Sequence, residues 1–123
     1  MQRNNYREES PNLAYVVELA GTSDFDFEQK FVASLKHEFS MNLGKYLFHI
    51  NRGEPRAAAE MVHKLKHKIR VLGMPKASDF AEQHEEKLHI GDTELDEDFK
   101  KILKTIDIFL KETESSMQGD YVG

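Results

Sequence analysis

From Phe25 to Leu110 apolar residues return every three or four positions in four successive stretches, and no stretch alternates with period two. A chain patterned this way hides its apolar faces by packing helix on helix. The first stretch, with Val32, Leu35, Phe39, Leu43, Tyr46, Leu47 and Ile50, predicts a long helix from Phe25 to Asn51 with Gly44 as its weak point. "NRGEP" ends it and Pro55 opens the next helix. That helix runs to Leu72, where Gly73 and then Pro75 supply a stop and a fresh start. A helix over Lys76 to His89 carries Ala77, Phe80, Ala81, His84 and Leu88. The loop "GDTELDED" leads into a last helix, whose seam of Leu95, Phe99, Ile102, Leu103, Ile106, Phe109 and Leu110 falls within about 120° of its circumference.

Ahead of these, "NLAYVVELAG" reads as a short helix, with Ser10 and Pro11 at its start and Gly21 at its end. "TSD" offers caps for the long helix, and Phe25, Phe27 and Phe31 are expected to pack under the short one. Short connections imply an all-α fold, an antiparallel four-helix bundle with a short additional N-terminal helix. Residues 1–10 are expected to form a disordered N-terminal tail, 11–117 the helical domain and 118–123 a flexible C-terminal tail.

At 123 residues the chain has room for one core. Zero Cys excludes disulfides and thiolate chemistry. No apolar run is long enough to span a membrane, and a cytoplasmic location is the expectation. The net charge of −5 becomes −9 once Lys64, Lys66, Lys68 and Arg70 are set aside, so positive charge is concentrated in one short stretch. A nucleic-acid surface would spread its cations more widely, and none is expected here.

That stretch, "MVHKLKHKIRVLG", interleaves two patterns. With His63 at 0° on a helical wheel, Met61, Leu72, Leu65, Ala58, Ile69 and Val62 fall between about 160° and 260°, which places the imidazole outside the core face. Ala59, Lys66, Arg70 and His67 surround it, with Lys64 flanking. Surface charge of this kind commonly serves solubility alone. The chemical reading is that cations favour a neutral, nucleophilic ring and would then hold a phosphoryl group placed on it. The chain has no Gly-rich phosphate loop, so the phosphoryl group would come from a partner.

On these residues the chain resembles the histidine-containing phosphotransfer (HPt) domains of multistep phosphorelays. Their A-H-x-L-K-G pattern, with a second Gly ten residues after the His, is matched here by "VHKLKHKIRVLGM", and "YVVELAG…DFEQKFVASLKHEF" is similar to the opening of many such domains. The resemblance covers about residues 13 to 112. It implies a phosphocarrier rather than an enzyme. His63 would accept a phosphoryl group from a receiver-domain aspartyl phosphate and pass it to another receiver. Lys66 would neutralise the phosphate, with Lys64 and Arg70 beside it, and Gly73 would close the helix. Ala59, His67 and Val71 would face the docked partner. The implied partners are response-regulator receivers and a hybrid sensor histidine kinase. No cofactor is expected on this chain, since Mg²⁺ would sit on the receiver, and the implied state is a monomer. Two departures stand out: His67 replaces the usual Gly after the Lys, and Met74 replaces the Ala after Gly73.

Other readings compete. Two E-x-x-H units, Glu60 to His63 and Glu86 to His89, have di-iron spacing, but the wheel turns both away from the core, so no metal site is assigned. His63 and His67 at i, i+4 could clip a surface zinc ion, which lacks further ligands. The phosphoacceptor domain of a histidine kinase is another helical rival; there Glu usually follows the His, whereas Lys64 does here. A non-catalytic helical interaction module, with Val71 in its docking patch, is the main alternative.

Overall fold

The computed structural model describes residues 5–21 and 24–119, and all regular structure among them is helical. A 3-10 turn at Tyr6–Glu8 precedes α1 (Ala14–Ala20), α2 (Phe25–Asn51), α3 (Pro55–Val71), α4 (Pro75–His89) and α5 (Asp96–Gly119). Local chemistry explains the boundaries. Asp24 Oδ1 accepts from the Phe27 N–H at 3.1 Å and starts α2. Pro55 and Pro75 stand in the first turns of α3 and α4, where a missing N–H costs no helical hydrogen bond. α2 runs through Gly44 without a break, held by the residues it buries on either side, Asn42 and Tyr46.

α2 packs on α3 and α5, α4 packs on α3 and α5, and α1 rests on α2. Val62, Leu65 and Ile69 of α3 meet Phe39, Tyr46, Leu88, Phe99 and Ile106 in one apolar cluster, all fully buried. The seam of α5 is buried at Phe99, Ile102, Leu103, Ile106 and Leu110, while Leu95 and Phe109 lie at its margin. Phe25 and Phe27 remain more than a third exposed rather than covered by α1, and Phe31 packs against the main core cluster. The expected cap at Ser10 is also displaced: α1 begins at Ala14, whose N–H is bonded to Asn12 Oδ1 at 3.0 Å.

The expected N-terminal tail is docked from Asn5 onward. Tyr6 is buried against Phe80, with ring centroids 4.5 Å apart. The α4 start has no local side-chain cap. Glu9 reaches it instead, accepting from the Lys76 and Ala77 N–H groups at 2.8 Å each. A carboxylate on two orphan donors at a helix N-terminus combines capping with a favourable dipole interaction. Glu9→Ala should therefore lower stability by about 1–2 kcal/mol in urea denaturation. A change under a few tenths would mean that the segment contributes nothing to α4. At the other end α5 continues to Gly119, past the expected limit at 117, and residues 120–123 lie outside the described residues.

One polar chain crosses the core. Tyr46 of α2 donates its hydroxyl proton to Asp96 Oδ1 at 2.5 Å and lies 2.7 Å from His84 Nε2 of α4. A hydroxyl has one proton, so Nε2–H of His84 must donate to the Tyr46 oxygen. His84 Nδ1 is then the unprotonated nitrogen, buried and without a partner. His84 lies on the core side of α4, as its helical spacing with Ala77, Phe80, Ala81 and Leu88 predicts, and is fully buried. Burial and the Asp96 contact together push the Tyr46 pKa up.

Candidate functional site

α3 combines a broad apolar face with a polar one, and the division decides what the site exposes. Ala58, Ala59, Val62, Leu65, Ile69 and Leu72 are fully buried. On the wheel they span about 180° to 320°, an arc shifted toward the α4 side of the one read from sequence. The cause is α4, which packs more extensively on α3 than any other element does. Ala59 is consequently core, not docking surface as expected, and offers a partner no exposed atoms. Its small side chain belongs in the interface between the two helices.

His63 lies beyond that arc with its side chain 55% exposed. Its Nδ1 is 3.1 Å from Glu85 Oε2 of α4. A carboxylate at that nitrogen selects the tautomer with the proton on Nδ1, leaving the Nε2 lone pair open. No partner for Nε2 occurs among the described residues. Glu60, Lys64, Glu85 and His89 join His63 around a surface depression of about 250 Å³. His89 Nε2 stands 3.9 Å from the same Glu85 oxygen. Among the described residues no group of three or more His, Asp or Glu is spaced to hold a metal ion.

The cations expected around His63 are largely paired with carboxylates. Lys66 Nζ donates to Glu85 Oε1 at 3.0 Å and to Glu82 Oε1 at 3.3 Å, with only 14% of its side chain exposed. The Glu85 hydrogen bond is the main cause that raises the Lys66 pKa, opposed by partial burial, and Glu82 adds to the rise. Arg70 pairs with Asp79 at 3.0 Å, and Lys68 turns to Glu38 of α2 at 3.6 Å. Along α3 from Arg70 back to His63, the partners advance along α4 from Asp79 to Glu85, so two charged edges are zipped together. Of the four Lys and Arg residues in the stretch, Lys64 alone has no carboxylate partner among the described residues.

His67 is exposed one turn from His63, its ring edge-on at 5.1 Å between centroids. It lines a second depression with Arg70, Val71 and Tyr15, which joins α1 to the end of α3. Val71 is half-buried there, consistent with a contact surface. Gly73 closes α3 with φ of 79°, and a Cβ added at that point would overlap the Asn12 side-chain amide. The sequence reading missed Glu82 and Glu85. Their signal was the acidic series Asp79, Glu82, Glu85 at i, i+3 spacing, complementary to Arg70, Lys66 and His63. Comparison with protein-family models, with curated proteins and with solved structures gives no match.

Proposed function

We propose that the chain is a histidine phosphotransfer protein of a phosphorelay, carrying a phosphoryl group on His63 between receiver domains. The observation that supports it most is the held imidazole: His63 is half exposed, its Nδ1 faces Glu85 at 3.1 Å, and its Nε2 is open. Such a ring is oriented at one nitrogen and nucleophilic at the other, the division of labour a phosphoacceptor needs. We read the helices as an antiparallel four-helix bundle with α1 as the short addition, which agrees with the α2, α3, α4 and α5 contacts.

The step balances with the residues present. Nε2 gives its lone pair to phosphorus as the acyl phosphate P–O bond breaks, and the receiver Asp leaves as carboxylate. The Nδ1 proton stays on the ring, shared with Glu85, so the phosphorylated ring is an imidazolium and a good leaving group for onward transfer. Lys64 and Lys66 supply positive charge to the phosphoryl oxygens. Mg²⁺ belongs to the receiver, no autonomous kinase activity is involved, and the cytoplasm is the compartment where receivers would meet the chain.

The internal pairing of Lys66 and Arg70 favours a second reading, a helical interaction module without phosphochemistry, because those cations are already committed. Incubation with a panel of receiver domains charged with radiolabelled acetyl phosphate separates the two. Acid-labile, alkali-stable label should appear on the chain and vanish in His63→Gln. Label that survives the substitution removes His63 from the site, and absence of label from every receiver favours the interaction module.

A further inference from the structure

We propose that Glu82 is a latch on Lys66: it holds the ammonium in a carboxylate clamp away from the open nitrogen of His63 and releases it when a phosphoryl group occupies that nitrogen. The proposal rests on the phosphoacceptor reading and adds a positioning residue to it.

The two arms of the clamp differ. Glu85 is fixed at both oxygens, Oε1 on Lys66 at 3.0 Å and Oε2 on His63 at 3.1 Å, and is 14% exposed. Glu82 is 60% exposed and makes one longer contact, at 3.3 Å. The Glu82 arm is therefore the one that yields. Lys66 follows His63 by three residues on the same helix, within reach of a group on its ring. A phosphoryl dianion presents three strong acceptor oxygens and nearly twice the charge of one carboxylate, so it out-competes an exposed Glu for a lysine on a flexible stem. The remaining charges near the ring are Glu60, Lys64, Glu85 and His89 in the depression and His67 beside it. Of these only Glu85 is paired with Lys66 among the described residues, so Glu82 is the separable control on it.

Phosphoramidate provides a test without any receiver. Nε2 attacks phosphorus, the P–N bond breaks, ammonia leaves with its electron pair, and the Nδ1 proton stays on the ring. The phospho-His63 resonance in ³¹P NMR is assigned by its loss in His63→Gln, and its pH titration reports the second ionisation of the phosphoryl group. Freeing a cation beside a phosphate lowers that midpoint. Glu82→Gln should raise the ionisation constant two- to five-fold. Removing the Glu82 charge would act in the same direction without any latch, so the measurement is repeated in a Lys66→Gln background. There the latch predicts that most of the effect disappears, as expected for coupled neighbours in a double-mutant cycle. Equal shifts in both backgrounds, or no shift in either, overturn the latch and leave the phosphoacceptor reading standing. Absence of any His63-dependent resonance overturns both.

Discussion

Acidification from pH 7 to pH 4 is expected to cost the fold about 3 kcal/mol through one residue, His84. The side chain is fully buried, and that burial lowers its pKa from 6.5 to about 4, against the opposing pull of Asp96 and Asp92. The unfolded chain protonates this ring near 6.5, whereas the folded chain resists until about 4. Between those values the unfolded state binds more protons, so stability is fully present above 6.5 and is lost as the pH falls toward 4. The 2.5-unit interval corresponds to about 3.5 kcal/mol at about 1.4 kcal/mol per unit, of which about 3 kcal/mol is lost by pH 4, where the folded ring is half protonated. Protonation would also place a second proton on Nδ1, which has no acceptor in its surroundings. Urea denaturation at pH 7, 5.5 and 4 measures the loss. His84→Gln keeps a donor for the Tyr46 oxygen but cannot titrate, and most of the slope across this range should vanish in it. An unchanged slope would assign the acid sensitivity to carboxylates such as Glu54, whose pKa is lowered chiefly by its hydrogen bond with His49.

The His84 position also shows which part of the fold could be read from sequence. Helical spacing located α2, α3 and α4 within a residue or two, because an apolar stripe bounded by proline, glycine or a capping residue is a local signal, whereas α5 begins at Asp96, inside the acidic run read as a loop. It placed His84 inward for the same reason. It could not supply Tyr46 and Asp96 as partners, since these come from helices remote in sequence. The same limit governs the site. That His63 faces outward is a property of α3 alone and was legible. That Ala59 is buried and Lys66 nearly so depends on where α4 lies across α3, and a wheel drawn for one helix has no neighbour in it. The pairing of the α3 cations was hidden for the same reason: the facing edge of each helix shows one sign of charge, and the neutralisation exists only in the pair. Residues 5–10 were read as a tail because they are polar and short of apolar pattern. Their order comes from one buried ring, Tyr6, and one carboxylate, Glu9, which takes the N–H groups of α4.

Gly73→Ala should cost about 2–3 kcal/mol, more than an ordinary helix-terminal substitution, because it violates two separate conditions. The first is conformational. Gly73 has φ of 79°, a region an L side chain enters at a cost of about 1–2 kcal/mol. The second is steric: the new Cβ would fall on the Asn12 side-chain amide. Asn12 cannot simply move aside, since its backbone N–H donates to Leu72 O at 2.8 Å and its Oδ1 accepts from the Ala14 N–H that starts α1. The substitution therefore strains the end of the His63-bearing helix and loosens the segment that leads into α1. Asn12→Gly separates the two terms. It removes the amide that the added methyl group would strike, so the double variant should be less destabilised than the sum of the singles by about 1 kcal/mol, within the range measured for contacting residues. Additive losses would show that the left-handed backbone accounts for the whole cost and that Asn12 does not enforce glycine. The sequence reading assigned Gly73 one role, ending a helix, and a helix stop alone would tolerate Asn. With Asn12 packed against the position, Gly73→Asn should be as damaging as Gly73→Ala despite the ease with which Asn adopts positive φ, and thermal unfolding of the two variants side by side distinguishes a crowded glycine from a merely bent one.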